Sequence, residues 1–360
     1  MNWLAWRQHR KQFMIAGIFL VLFAGFMIPT GLNFWHTYQH ALSTCGSTDT
    51  CNQLQGELFQ SQLDQLLLHF LPVAIMFVPI LLGLFWGVPF LAREYGEGTN
   101  KLVWTQGVSR RKWLTVKLIW VLAGAAIIAA GFTALNTWWA KTNNALELGR
   151  FVPIHFNSQG IVLIGYAVFA VSLGVFLGAW LKRTMAAIGI TLFLLIAMIA
   201  IVVPVFVRPY YYSPLSSHVP LPTNDNSGTG PFSPVTPSAS GATLTISQTI
   251  VNKDNQAINW SSPPQQCIVT PGSGPSSTIV GGHTEAAIPV KGGGSLAIES
   301  QNGGPPVSLN CLAPLGYQQE LKYQPSYRYW DFQRIETGLY LALSIIPLAG
   351  TYWLVLRRDA

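Results

Sequence analysis

160-GIVLIGYAVFAVSLGVFLGAWLKRTMAAIGITLFLLIAMIAIVVPVFV-207 decides what kind of molecule this is. Two apolar stretches are separated only by Lys182 and Arg183. Crossing the hydrocarbon layer of a bilayer as a helix takes about 20 apolar residues. Each stretch is long enough, and two residues between them allow only a tight antiparallel hairpin. The same test applied outward finds further runs at roughly 13–35, 70–91, 118–139 and 337–356, six in all. None of the six contains Asp, Glu, Lys or Arg. One such charge at mid-bilayer costs about 2.5–3.5 kcal/mol on insertion scales, so their exclusion is what a spanning helix requires. The chain reads as an all-α polytopic membrane protein with six transmembrane helices.

Orientation follows from the basic residues. Alternating spans sort the connecting segments into two sets, and 13 of the 21 Lys and Arg fall in the first. These are Arg7, Arg10, Lys11, Arg93, Lys101, Arg110, Arg111, Lys112, Lys117, Lys182, Arg183, Arg357 and Arg358. They occupy about 70 loop and tail residues, whereas the other eight are diluted over about 180. Of the 14 acids only Glu94, Glu97 and Asp359 join the first set. The positive-inside rule therefore predicts that both termini and the loop after the second span are cytoplasmic, and that 208–336 is extracytoplasmic. The sequence pI near 9.3 needs no nucleic-acid partner, since anionic membrane lipids and a protein partner account for it. The first run is expected to be retained as a start-anchor helix: its apolar core exceeds a signal-peptide h-region, and 29-PTGLNFW-35 offers no small-x-small cleavage site.

Cys45, Cys51, Cys267 and Cys311 all fall on the predicted outer side. Four cysteines allow three pairings. Locality favours Cys45–Cys51 and Cys267–Cys311 in a compartment where disulfides persist, with free thiols as the alternative.

The chain divides into four parts. Residues 1–12 form a cytoplasmic interfacial segment in which Trp3 and Trp6 suit the headgroup layer. Residues 13–207 carry spans one to five, with a cytoplasmic elbow at 92–117. Residues 208–336 form an extracytoplasmic insertion between spans five and six, and 337–360 hold span six and a cytoplasmic tail. Leucines near helical spacing make 53–69 an amphipathic lead into span two. Glycines four apart, in 83-GLFWG-87 and 174-GVFLG-178, allow close helix approach, either within one subunit or at a dimer seam.

In the insertion, 208–241 is rich in Pro, Ser and Gly and reads as a linker. Short alternating runs at 242–252, 257–260, 266–270, 287–291, 295–300 and 307–310 then predict a small antiparallel, mainly β domain. A belt of Tyr323, Tyr327, Tyr329 and Trp330 precedes span six.

Several chemistries are missing from the sequence. No G-x-x-x-x-G-K-[ST], H-E-x-x-H or C-x-x-C occurs, so the chain has no nucleotide-phosphate loop of its own. His36 and His40, four apart, supply only two ligands, too few for a metal site. The apolar runs also lack the midplane ionisable group that ion-coupled carriers use. The chain is read as non-catalytic, with no metal or cofactor of its own.

Charge concentrates instead in 91-LAREYGEGTNKLVWTQGVSRRKWLTVK-117. Thr99 is placed to cap a short helix over 100–105, and Ser109 to cap the next, with Val108 and Trp113 in staple positions. The expected form is a helix–turn–helix elbow along the inner membrane surface, presenting Arg110, Arg111, Lys112 and Lys117 to headgroups or to an acidic partner. A solvated basic loop is the plainer alternative.

This segment resembles the loop after the second span in type-2 ABC exporter permeases. The likeness is to a bacterial subgroup that combines three motifs, found here as 6-WRQHR-10, 97-EGT-99 with 104-WTQGVSRRKW-113 and Lys117, and 323-YQPSYRYWDFQRIET-337. It covers both ends and all six spans but hardly the insertion. The resemblance implies a second permease subunit, identical or different, and two separate ATP-binding subunits that carry the ATP and Mg. It makes the elbow a coupling helix, with Glu94, Glu97, Gly98, Thr99 and Trp104 at the ATPase contact. Thr105, Gln106, Ser109, Arg110 and Trp113 would hold the elbow's shape. It implies export of a hydrophobic or amphipathic cargo across a bacterial plasma membrane. A signalling or scaffold protein whose outer β domain binds a ligand is the alternative.

Overall fold

The computed structural model describes residues 2–44, 62–96, 109–141, 150–221, 244–259, 262–268, 297–298 and 307–358. The chain forms two compact units. One comprises Met1–Tyr211 with Ser326–Ala360, and the other is Tyr212–Pro325, inserted between the fifth and sixth long helices.

The first unit is helical. Six of its helices are long and apolar enough to cross a membrane: Arg10–Thr37, Phe70–Arg93, Arg110–Trp139, Val162–Leu181, Thr184–Tyr210 and Ser326–Arg357, here spans one to six. Span one lies within a continuous helix Asn2–Thr44, and residues 2–12 of the expected interfacial segment are the first turns of that helix. Its basic residues Arg7, Arg10 and Lys11 are compatible with helix, and no Gly or Pro stands between them and the apolar run to interrupt it. The described part of the lead into span two begins at Gln62.

Proline shapes two of the spans. Pro89 lacks an N–H, and its ring crowds the carbonyl of Phe85 four residues earlier. The turn Gly83–Gly87, which contains that carbonyl, is π-helical. Span five is π-helical over Ala197–Val207, around Pro204. Spans four and five turn on Lys182, whose φ of 53° is left-handed, and on Arg183, which is extended. Two residues suffice because the left-handed one reverses the chain at once.

Span four is the hub. It packs against spans two, three, five and six, and 78% of its apolar window is buried, against 6% for span one. Close approach is possible because the facing positions are glycine. A Cβ at Gly83 would sit 2.8 Å from the carbonyl oxygen of Ala170, and one at Gly87 2.7 Å from that of Val171. From the other side, a Cβ on Gly174 or Gly178 would meet the carbonyl oxygens of Gly83 and Val88. Here the two small-x-x-x-small patterns are spent within a single chain, one against the other.

The second unit contains a three-stranded antiparallel sheet of order β1 (Leu215–Pro220), β5 (Gln318–Gln324), β2 (Leu244–Val251). A two-stranded pair joins β3 (Ala297–Ile298) to β4 (Val307–Ser308). Its core gathers Leu221, Ile250, Ile258, Cys267 and Leu312. A disulfide joins Cys267 to Cys311, closing a sequence separation of 44 residues.

The strand map differs from the expectation. β2 falls within 242–252, but 266–270 begins as a 3-10 turn, Gln265–Cys267, and after β4 the run 307–310 enters a short helix, Leu309–Leu312. Residues 287–291 lie outside the described residues. Two strands come from segments with no strand signal: β1 from the supposed linker, and β5, the central strand, from 318-QQELKYQ-324. Pro220 is tolerated because β1 is an edge strand.

Candidate functional site

The flanks of the expected elbow are described; most of the elbow is not. Glu94 lies in the helical end of span two, Val88–Gly96. Glu97, Gly98, Thr99, Trp104, Thr105 and Gln106 lie outside the described residues, as do Cys45 and Cys51. Ser109 is the residue before the helix Arg110–Trp139 and has extended backbone. Its carbonyl accepts the Trp113 N–H at 3.1 Å, but its hydroxyl makes no capping hydrogen bond. Arg110 opens the helix and is half-buried, while Trp113 is fully inside, in the cluster that includes Phe90, Leu91 and Leu354.

The Lys117 ammonium, one turn on, sits 4.6 Å from the Trp113 ring centroid and 5.8 Å from that of Phe90. A buried lysine held between two aromatic faces binds span three to the end of span two. Lys182 reaches the Tyr95 ring at 5.1 Å. The hydroxyls of Thr115 and Tyr352 are 2.8 Å apart and join spans three and six. Both flanks of the elbow are thus seated on one packed block.

At the opposite end, the start of span four is held by its neighbours. Ile161 and Val162 expose the first free N–H groups of that helix, and no local side chain caps them. Gln333 of span six does so from a distance of 171 and 172 residues: its Oε1 accepts both N–H groups, at 2.9 and 3.0 Å. Its Nε2 donates to the Phe156 carbonyl at 3.0 Å and to the Tyr329 hydroxyl at 3.1 Å. From span three, Thr133 donates to the Gly160 carbonyl at 2.6 Å and Asn136 to the Ser158 carbonyl at 2.7 Å. Gly160 has φ +71°, and a Cβ there would sit 2.6 Å from Gln333 Oε1, so this turn needs glycine on both counts.

Beside this clasp lies a buried ion pair. Arg208 Nε donates to Glu336 Oε2 and Nη2 to Oε1, both at 2.9 Å, a bidentate fork, with the two side chains 1% and 0% exposed. The Tyr166 hydroxyl donates to Glu336 Oε1. Asn157 Oδ1 lies 3.0 Å from that hydroxyl and also accepts from Arg208 Nη2. The guanidinium carbon stands 4.0 Å from the Phe156 ring centroid. Tyr211 donates to Glu336 Oε2 at 3.4 Å; burial first, and then the Glu336 charge, push its phenol up, so it remains a neutral donor. Tyr340 donates to the Met198 carbonyl at 2.9 Å. Spans four, five and six are tied together by one charged network. Only Arg208 Nη1 is left there without a hydrogen bond among the described residues.

Sequence reading missed this network because Arg208 and Glu336 stand one residue beyond the apolar runs that end at 207 and begin at 337. On that reading they belong to the outer segment. The helices continue past those limits, to Tyr210 and back to Ser326, and carry both residues inside the helical unit. A signal existed: an Arg immediately after one span, and a Glu immediately before another, on neighbouring antiparallel helices.

Among the described residues no group of three or more His, Cys, Asp or Glu gathers as a metal site. Neither the comparison with curated proteins nor that with solved structures returned a match. The family comparison did: residues 17–208, from span one to Arg208 at the end of span five, match the family described as ABC-2 membrane transporter related. With six helices fit to cross a membrane and that match over more than half its length, the chain is a multi-pass membrane protein and belongs to the ABC-2 membrane transporter related family.

Proposed function

We propose that this chain is the permease subunit of an ATP-driven exporter in a bacterial plasma membrane. It pairs with a second permease subunit, identical or different, and receives energy from two separate ATP-binding subunits. The observation that carries the proposal is the family match over 17–208, which includes the whole elbow segment 92–117. Both termini and the elbow are cytoplasmic and 208–336 extracytoplasmic, by the distribution of basic residues.

The packing on either side of the elbow supports its use as a lever. Trp113, Lys117 and Phe90 bind its two flanks into one block. That block meets span four along a glycine seam without intervening side chains. A push from an ATP-binding subunit on 97–108 would therefore reach span four as a rigid displacement, because close-packed interfaces transmit strain rather than absorb it. At the far end the Arg208–Glu336 network makes spans four to six move together. The exposed faces of the spans are apolar and aromatic, including Phe19, Phe77, Phe85, Phe193 and Phe206, which favours a hydrophobic or amphipathic cargo.

The test is co-expression with an ATP-binding subunit encoded beside this chain, followed by purification in detergent and reconstitution. A stable complex with cargo-stimulated ATP turnover is expected. Glu97→Lys and Trp104→Ala should leave insertion intact while ATP turnover no longer drives export. A chain that purifies without any ATP-binding subunit, or two variants that couple normally, would overturn the assignment. Cysteine labelling of residues 97–108 from outside intact cells would reverse the topology.

A further inference from the structure

A groove of about 640 Å³ opens on the helical unit between spans three, four and six, at the end that carries the Arg208–Glu336 pair. That volume falls within the range of about 300–1,000 Å³ typical of small-molecule pockets. Its floor is a strip of small residues on one face of span three, Ala130, Thr133, Ala134 and Thr137, faced by Ile161 and Ile164 of span four. Thr133 and Thr137 have their hydroxyls committed to backbone groups, Thr133 to the Gly160 carbonyl and Thr137 to the Thr133 carbonyl and the Gly160 N–H, so what remains facing the groove is apolar.

Chemistry changes along its length. From Ala130 to Lys141 the helix advances about 16 Å. Toward Ala130 the lining is alanine and isoleucine, with Gln159 and Gly160 beside the two threonines. The end carries two cations, Lys141 and Arg150, and three aromatic side chains, Trp138, Tyr329 and Trp330. Lys141 is held at that end by the Trp35 ring of span one, 5.0 Å from its ammonium. No carboxylate lines the groove among the described residues. A slot that is apolar inside and cationic at an aromatic interface complements a molecule with an apolar tail and an anionic head.

We propose that this groove binds an anionic membrane phospholipid, with one acyl chain along the Ala130–Ala134 strip and the phosphate headgroup at Lys141 and Arg150. In this pose Trp138 and Trp330, which line the same end, would stand at headgroup level, where amphipathic rings are favoured. The site is independent of the exporter reading, since it requires only the packing of spans three, four and six.

The test uses the full chain in nanodiscs or mixed micelles, with native mass spectrometry counting retained lipid. The probes are phosphatidylglycerol and zwitterionic phosphatidylcholine of matched chains. Phosphatidylglycerol should be retained preferentially. Lys141→Gln and Arg150→Gln, both at the rim, should each lower that preference about 5-fold, the worth of one cation near a lipid surface. Ala134→Trp should expel both lipids by filling the slot, while its far-UV spectrum and thermal midpoint stay near those of the parent. Equal retention of the two lipids, or a phosphatidylglycerol preference untouched by either charge substitution, would overturn the proposal. So would retention that survives Ala134→Trp in the folded protein.

Discussion

At the end of the helical unit that carries the elbow flanks, Arg93, Arg111 and Lys112 are exposed while Lys117 is buried. Cohesion there comes from glycine backbone contacts and from Lys117 pressed between Trp113 and Phe90. At the other end Arg208 and Glu336 are buried, and cohesion runs through hydroxyls, amides and a forked ion pair. The first arrangement transmits a displacement through close packing, without naming a partner for any group. The second names one, because each hydrogen bond specifies a partner and an angle.

The largest effect expected of that difference is at the ion pair. Glu336→Ala leaves Arg208 buried without its counterion, and breaking a buried pair from one side costs about 3–5 kcal/mol. The apparent unfolding free energy in mild detergent should fall by that amount. The double substitution Arg208→Met with Glu336→Leu should recover most of the loss, because it removes the desolvation cost along with the attraction. A double variant as unstable as the single would mean that the charges are not what holds this end.

A smaller effect is expected at the glycine seam. Gly87→Ala forces a methyl toward the Val171 carbonyl, and overpacking of this kind costs about 1–3 kcal/mol. Gly189→Ala, where a Cβ meets nothing within 4 Å, is the control and should not destabilise. If the two behave alike, the spans are not in backbone contact. The smallest effect is Lys117→Gln, which removes the cation between two rings and should cost about 1–2 kcal/mol. No measurable loss there would place the cohesion of the elbow end wholly in its apolar packing.

Much of this was legible in the sequence. Six apolar runs announced six helices, and the two-residue link 182–183 announced a hairpin, because hydrocarbon length and charge exclusion act on composition directly. The Cys267–Cys311 bridge followed from locality. The insertion was harder to read: β5 is the central strand, yet 318-QQELKYQ-324 is mostly polar, and only Gln319, Leu321 and Gln324 turn inward. A strand that is central by hydrogen bonding but half-solvated by side chain carries no strong alternation. The elbow residues Glu97, Gly98, Thr99, Trp104, Thr105 and Gln106 rest on resemblance and on the basic charge around them.

The sequence by itself determined that this chain lives in a membrane, how often it crosses, and which family it belongs to, since these follow from the counting of apolar residues and from short motifs. Only the tertiary structure decided that Gln333 caps a helix more than 170 residues away, that Arg208 and Glu336 form a buried pair, and that two glycine patterns meet each other. The physical reason is that a charge or an amide has no fixed worth along a chain. Its energy depends on what lies within a few ångströms, and that neighbourhood exists only once the helices have packed.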